Sequence, residues 1–269
     1  MFKTIRLGRL FGADVFAHWT LWPLFAYLLI FSLLTGGADG LVSTAVLLVS
    51  LFLAVYLHEL GHALVAALRG VRTRDIVLLP IGGIARLERQ TLEPTLELQI
   101  AAAGPLANLM LAATFVVPLL VNGTAGAVFG PWFEAGWLVT WVQINLILGI
   151  GNLLPALPLD GGRVVRAVLT RRHGYLAATA AVVRITRYVG FAMVLLSLFV
   201  SWLLLLVGVF LLLVSVQEML TARLREMASP RSTAGDWRNV FKQQGGAAAE
   251  DDEPLDVEKT VDAVRVRKL

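Results

Sequence analysis

The chain has 269 residues, of which 57% are apolar and only 16% are charged, and its formal net charge is +4. Soluble domains average about 45–50% apolar and about 25% charged residues, so this composition excludes most soluble classes and, for the bulk of the chain, disorder. The sequence has no cysteine, which excludes disulfides, thiolate catalysis and cysteine-ligated zinc or iron–sulfur sites.

Several apolar runs are long enough to cross a membrane, which takes about 20 helical residues. The first four predicted spans are His18–Leu34, Leu41–Leu68, Leu96–Val121 and Trp132–Leu154. The apolar run from Tyr188 to Leu220 is too long for one span, and we expect spans five and six here, with the first starting near Leu176 and a break near Ser201. The sequence therefore predicts an all-α polytopic membrane protein with six transmembrane helices.

The positions of the lysines and arginines favour this count. If the N-terminus is cytosolic, the opposite loops near residues 35–40, 122–131 and 201 contain no Lys or Arg. Positive charge accumulates in cytosolic loops, whereas a five-span arrangement would put Arg223 and Arg225 outside. We therefore expect both termini in the cytosol. The excess of Lys and Arg over Asp and Glu then reflects the membrane topology and contact with anionic lipid, and we expect no nucleic-acid partner.

The composition changes after Arg225. Residues 228–254 are rich in Ala, Gly, Ser and Pro and include the acidic run at residues 250–253, which is typical of a solvated flexible segment. Residues 1–225 are therefore predicted to form the membrane core. Residues 226–269 are predicted to form a flexible cytosolic tail that is too short for an independent domain.

Span two contains three ionisable residues in the pattern His-Glu-x-x-His, at His58, Glu59 and His62. Spacing of i and i+4 on a helix stacks both imidazoles on one face, within reach of a single metal ion. Glu59 lies about 100° around the helix, close enough to act on a water beside that metal. The alternative is a pair of core histidines neutralised by a glutamate, but burying three such groups without a ligand costs several kcal/mol.

A catalytic zinc site needs three protein ligands and one open position. Asp160 is the candidate third ligand, because it follows a segment broken by Pro155 and Pro158 at the end of span four. Irregular backbone at membrane depth is tolerated where it lines a cavity. An Asp beside two glycines is more often a turn residue, and the motif in span two is what favours the ligand interpretation.

These two motifs resemble those of the site-2 protease family of intramembrane zinc metalloproteases. Leu78–Ala85 resembles the family's re-entrant β-hairpin, expected here between spans two and three, and Ala103–Asn108 resembles the stretch that opens its next span. The resemblance implies that His58, His62 and Asp160 bind one Zn²⁺ and that Glu59 is the general base. The sequence lacks room between its spans for a PDZ insertion and lacks a C-terminal CBS domain, so a compact member is expected.

The resemblance implies a zinc metalloendopeptidase of the cell membrane that acts in regulated intramembrane proteolysis. Its expected partners are the lipid bilayer and a single-span membrane protein cleaved near the cytosolic side; the sequence identifies no regulatory partner. The exposed edge of Asp75–Arg86 is expected to pair with the unwound substrate. Asn108, Asn152, Gly82 and Gly83 are candidates for contacts to substrate or to an oxyanion, with inter-helix hydrogen bonding as the alternative for the asparagines. The alternative functions are a metal-binding membrane transporter and an inactive membrane scaffold.

Overall fold

The computed structural model describes residues 4–10, 13–71, 73–79, 82–87, 93–130 and 136–228. The fold is mostly helical, with a small β-sheet near the N-terminal half. The elements in chain order are β1 (Thr4–Leu10), β2 (Ala13–His18), α1 (Leu21–Leu68), β3 (Thr73–Leu79), β4 (Gly82–Leu87), α2 (Pro94–Val121), a short 3-10 helix (Ala125–Phe129), α3 (Trp137–Asn152), α4 (Asp160–His173), α5 (Tyr175–Leu196) and α6 (Trp202–Ala228).

The chain divides into a large unit, Met1–Arg223, and a second unit, Leu224–Leu269. Within the second unit the structure describes only the end of α6. The predicted flexible tail from residue 229 onward lies outside the described residues, so the assignment of residues 226–269 stays a prediction.

Four helices are long and apolar enough to cross a membrane, namely α1, α2, α5 and α6. Their outer surfaces are apolar, and Phe31, Val117 and Leu213 are each more than half exposed. Soluble monomers rarely expose contiguous apolar surface on this scale. The chain is therefore an integral membrane protein.

Helix α1 is 48 residues long but is interrupted at Gly37, where φ is 62° and ψ is −151°. This backbone conformation is open essentially to glycine alone. The interruption falls within residues 35–40, where the sequence predicts a loop between spans one and two. The second part of α1 carries His58, Glu59 and His62.

The remaining predicted spans differ in how completely they appear as helices. Helix α3 has 16 residues, about 24 Å, because it begins at Trp137 whereas the predicted fourth span begins at Trp132. Residues 131–135 lie outside the described part of the chain. Helix α5 ends at Leu196 and α6 begins at Trp202, so Ser201, the predicted break, lies between them.

The sheet is larger than the predicted hairpin. Strands β3 and β4 pair antiparallel, with Leu78 opposite Gly83, but β2 pairs parallel to β3 and β1 pairs antiparallel to β2. Strands β1 and β2 were not predicted from the sequence. The buried Val15 and Ala17 alternate with less buried neighbours in β2, which is the period of a half-buried strand.

This strand order changes which edge of Asp75–Arg86 is open. Strand β3 is paired on both sides, by β2 and by β4, whereas the outer edge of β4 has no partner among the described strands. The sheet packs on α1 through a cluster that includes Ile76, Leu78 and Ala63. This packing places β4 beside the His-Glu-x-x-His motif of α1.

Candidate metal centre

His58 and His62 lie one turn apart on α1 and are both buried. Their Nε2 atoms are 3.2 Å apart, and the two rings meet edge to face at an interplanar angle of 86°. The helical spacing explains this arrangement, since residues at i and i+4 share one face. The two imidazoles therefore direct the same ring nitrogen to a single point.

Asp160 reaches this point from the first turn of α4. Its Oδ2 atom lies 3.0 Å from His58 Nε2 and 3.1 Å from His62 Nε2. The second carboxylate oxygen, Oδ1, accepts a hydrogen bond of 3.1 Å from Arg163 Nη1. Arg163 thus orients the carboxylate so that Oδ2 faces the imidazoles.

The partners of the two Nδ1 atoms determine which ring nitrogens carry protons. His62 Nδ1 lies 2.6 Å from the carbonyl oxygen of Ile100, which can only accept, so His62 Nδ1 carries the hydrogen. His58 Nδ1 lies 2.6 Å from Asn108 Oδ1, also an acceptor. Both neutral rings therefore present an Nε2 lone pair.

With both rings neutral, two imidazole lone pairs and a carboxylate oxygen converge on one point, an arrangement that suits a bound cation. The three ligand atoms form a triangle with edges of 3.0–3.2 Å. Zinc bonds of about 2.0–2.1 Å in a tetrahedron separate ligands by about 3.3 Å, close to these edges. His58, His62 and Asp160 are also the group of described residues that could hold a metal ion.

Gly104 of α2 provides the space next to this triangle. A Cβ built at Gly104 would lie 2.8 Å from His58 Nε2 and against the ring of His62. Since real Cβ atoms essentially never approach below 3.0 Å, a side chain here would occupy the space that the ligand nitrogens face. The absence of a side chain leaves the ligand side of both rings open.

Glu59 is buried beside the triangle, between α1 and β4. A Cβ built at Gly83 of β4 would lie 2.8 Å from Glu59 Oε1, so Gly83 leaves room for the carboxylate. Gly82, paired with Leu79 in the register of the hairpin, is next to it in the same strand. The base role of Glu59 and the substrate contacts of the two glycines stay predictions.

The two predicted asparagines are placed differently. Asn108 is fully buried, its Oδ1 faces His58, and its Nδ2 donates to Asn145 Oδ1 at 2.8 Å and to Ala54 O at 3.3 Å. Asn152 is partly buried and its Nδ2 donates to Leu148 O, one turn back on α3. Asn108 therefore contacts a ligand of the candidate site, while the described hydrogen bond of Asn152 is internal to its helix.

Two buried polar features near the site were missed by the sequence analysis. Asn145 of α3 is fully buried and hydrogen-bonds to Asn108. Arg166 of α4 donates to Glu97 of α2 and, at 3.3 Å, to Glu218 of α6. An uncharged Asn inside an apolar helix and an acid, Glu97, one position inside the predicted third span are both signals that could have identified them.

The charge of Arg166 is secured by these contacts. Burial alone would lower the pKa of its guanidinium, but Glu97, Tyr175 and Glu218 raise the pKa above its ordinary value. Arg166 therefore remains a cation that links α4, which carries Asp160, to α2, which carries Ile100 and Asn108.

The fold and the triangle of His58, His62 and Asp160 define a candidate metal centre among membrane helices, and comparison with known proteins assigns the family of the chain. The sequence profile of Peptidase family M50 matches residues 46–129 and 121–197, a range that includes His58, His62 and Asp160. The chain belongs to peptidase family M50. Together with the donor set, this family identifies the cofactor as zinc.

Comparison with individual relatives supports the assignment to this family. Zinc metalloprotease MJ0392 of Methanocaldococcus jannaschii is 34% identical over 221 residues, which are 80% of this chain and 60% of that protein. Rip3 of Mycobacterium tuberculosis is 39% identical over 189 residues, 65% of this chain and 46% of Rip3. The solved structure of the site-2 protease from Methanocaldococcus jannaschii aligns with a TM-score of 0.58 at 34% identity, covering 81% of this chain and 95% of that one. The chain thus spans less than two thirds of the length of these two curated relatives.

Proposed function

We propose that this chain is a zinc-dependent endopeptidase that hydrolyses peptide bonds of single-span membrane proteins within the bilayer. The observation that carries the proposal is the buried triangle of His58 Nε2, His62 Nε2 and Asp160 Oδ2, with edges of 3.0–3.2 Å. Beside it lies a buried carboxylate, Glu59, in a helix long and apolar enough to cross a membrane. Three protein ligands that leave one position open are the arrangement of catalytic zinc sites.

In this proposal each residue has one task. His58, His62 and Asp160 hold the zinc, which when bound supplies a Lewis acid that polarises the scissile carbonyl and acidifies water. Glu59 takes a proton from the attacking water and delivers it to the leaving amine. The burial of Glu59 and the space left by Gly83 keep the carboxylate beside the ligands rather than in bulk solvent.

The substrate must present an extended strand, because a helical substrate hides its carbonyls in its own hydrogen bonds. The open outer edge of β4 offers backbone groups for pairing with such a strand. We propose that Gly82 and Gly83 contact the substrate through this edge, and that Asn152 does so from the end of α3. Substrates with helix-breaking residues near the cytosolic third of their span suit this geometry.

We further propose six spans with both termini in the cytosol of a cell-membrane protein, and with the metal centre on the cytosolic side of the midplane. The break of α1 at Gly37, the apolar helix α3, and helices α2, α5 and α6 together supply six segments. The enzyme core is then residues 1–225, followed by a cytosolic tail. Helix rise places His62 about 10 Å and His58 about 16 Å from the cytosolic boundary at Arg69.

Single-cysteine labelling tests this topology, because the chain has no cysteine of its own. Thr124→Cys and His173→Cys introduce thiols at two exposed positions on opposite predicted sides. In intact cells a membrane-impermeant maleimide should label Thr124→Cys, and it should label His173→Cys only after permeabilisation. Equal labelling of both variants in intact cells would contradict the six-span topology.

The activity is tested with purified protein and a single-span test substrate reconstituted in liposomes. We expect cleavage by the wild type, zinc retention without cleavage in Glu59→Gln, and loss of both zinc and cleavage in Asp160→Ala. Asp39→Asn is the matched control, since Asp39 is an exposed acid on the same helix α1. Cleavage by Glu59→Gln at the wild-type rate would refute the proposed base, and full zinc retention by Asp160→Ala would refute the proposed site.

A further inference from the structure

A chain of buried hydrogen bonds leads from His58 to α3. His58 Nδ1 donates to Asn108 Oδ1, Asn108 Nδ2 donates to Asn145 Oδ1 at 2.8 Å, and Asn145 Nδ2 donates to Trp141 O at 2.9 Å. Asn108 and Asn145 are both completely buried. Polar groups this deep among apolar helices remain there only when their hydrogen bonds are satisfied.

The backbone fixes the orientation of both amides. Asn145 Nδ2 faces the carbonyl of Trp141, and a carbonyl oxygen can only accept, so Asn145 must turn its Oδ1 toward Asn108. Asn108 then turns its Nδ2 toward Asn145 and toward the carbonyl of Ala54. Asn108 Oδ1 is left for His58, whose Nδ1 must supply the hydrogen.

A reversed Asn108 amide would have the opposite consequence. Its Nδ2 would face His58 Nδ1, which would then have to accept, and the hydrogen of the neutral ring would move to His58 Nε2. The Nε2 atom would then carry a hydrogen on the side that faces Asp160 Oδ2 and would have no lone pair for a metal ion. The direction of the Asn108 amide therefore decides whether His58 can bind a metal ion.

We infer that Asn145 is a positioning residue that acts through Asn108 to hold the His58 ring in its metal-binding tautomer. Among the described contacts Asn145 does not touch the ligand triangle, and its side-chain hydrogen bonds are to Asn108 and Trp141. This inference rests on the proposed zinc site and adds a residue that anchors the site to α3. Removing a direct hydrogen-bond partner of a metal ligand weakens metal binding about 10–100-fold. Because Ala54 O still holds Asn108, we expect a smaller effect, about 3–10-fold, for Asn145.

The test is a double-mutant cycle on zinc affinity, measured by chelator competition with the purified full chain. Asn145→Leu removes the acceptor while keeping the same number and branching of side-chain heavy atoms and should weaken zinc binding about 3–10-fold, whereas Asn108→Leu should weaken it about 10–100-fold. The double variant should bind zinc no more weakly than Asn108→Leu alone, within about twofold, because Asn145 acts only through Asn108. Asn145→Asp should restore near wild-type affinity, since a buried neutral carboxyl can both accept from Asn108 and donate to Trp141 O.

Thr140→Val is the matched control, because Thr140 is buried on the same helix and its hydroxyl bonds only to Gly136 O among the described contacts. It should leave the zinc affinity unchanged. Additive losses in the double variant, or an Asn145→Leu affinity equal to that of the wild type, would overturn the inference while leaving the zinc site intact. If the wild type and Asp160→Ala bind zinc alike in the same assay, the proposed site itself fails.

Discussion

Replacing Gly104 with alanine places a methyl group against the ligand nitrogens of the metal centre. The built Cβ lies 2.8 Å from His58 Nε2 and closer still to the ring of His62, whereas ordinary contact begins at 3.4 Å, so the His58 ring must retreat by about 0.6 Å and the His62 ring by more. Metal sites tolerate ligand displacements of about 0.2 Å. The rings cannot turn away freely, because both Nδ1 atoms are held by hydrogen bonds of 2.6 Å.

We therefore expect Gly104→Ala to weaken zinc binding at least about 100-fold, which corresponds to about 2.7 kcal/mol. The metal-free protein should lose no more than about 1–3 kcal/mol of stability, because a methyl forced into a filled space costs about that much and alanine is favoured over glycine inside a helix by about 1 kcal/mol. The assay is zinc stoichiometry and affinity of the purified chain, with thermal unfolding of the metal-free form alongside.

Gly151→Ala is the control for this experiment, because Gly151 lies in α3 and a Cβ there would meet nothing within 4 Å. It should bind zinc as the wild type does. If Gly104→Ala keeps its zinc affinity within about threefold of the wild type, the reasoning from the tightly filled ligand cavity is refuted.

Three further substitutions separate other parts of the account. Gly83→Ala should lower kcat about tenfold or more with zinc affinity unchanged, since its methyl would meet Glu59 and not the zinc ligands. Gly8→Ala is the control, because a Cβ at Gly8 in β1 would meet nothing within 4 Å, and a loss of zinc affinity in Gly83→Ala would contradict the prediction. Arg166→Met should lower the free energy of unfolding by about 3–5 kcal/mol, because it leaves Glu97 buried and unpaired. Adding Glu97→Leu should recover most of that loss, and equal stabilities of the single and double variants would count against this role of the ion pair. Gly37→Ala should destabilise the chain by about 1–3 kcal/mol in thermal unfolding while Gly36→Ala does not, and identical unfolding temperatures would disprove a strained break in α1.

The grouping of the candidate ligands could be predicted because it depends on local spacing and on one strong motif. Spacing of i and i+4 puts His58 and His62 on one face of any helix, whatever the rest of the fold. Asp160 is a harder case, since the approach of α4 to α1 is a tertiary contact. Its place in a proline-broken segment at membrane depth was the signal for a cavity-lining residue.

The features that escaped prediction are those that depend on pairing between distant segments. Strands β1 and β2 are short, and their alternation is weak beside the apolar runs that follow. The sequence does not distinguish Asn145 from other polar residues that hydrogen-bond between helices, because its contact with Asn108 is formed only in the tertiary structure. Glu97, the partner of Arg166 on α2, lies 69 residues away in sequence, so no local pattern could reveal the link between α4 and α2.

The central claim is that His58, His62 and Asp160 bind one metal ion together. X-ray diffraction from crystals of the zinc-loaded protein, recorded on both sides of the zinc absorption edge, tests it directly. The account predicts one anomalous peak within about 2.0–2.2 Å of His58 Nε2, His62 Nε2 and a carboxylate oxygen of Asp160. An anomalous peak at other residues, or zinc-loaded crystals with no peak at this triangle, would contradict it.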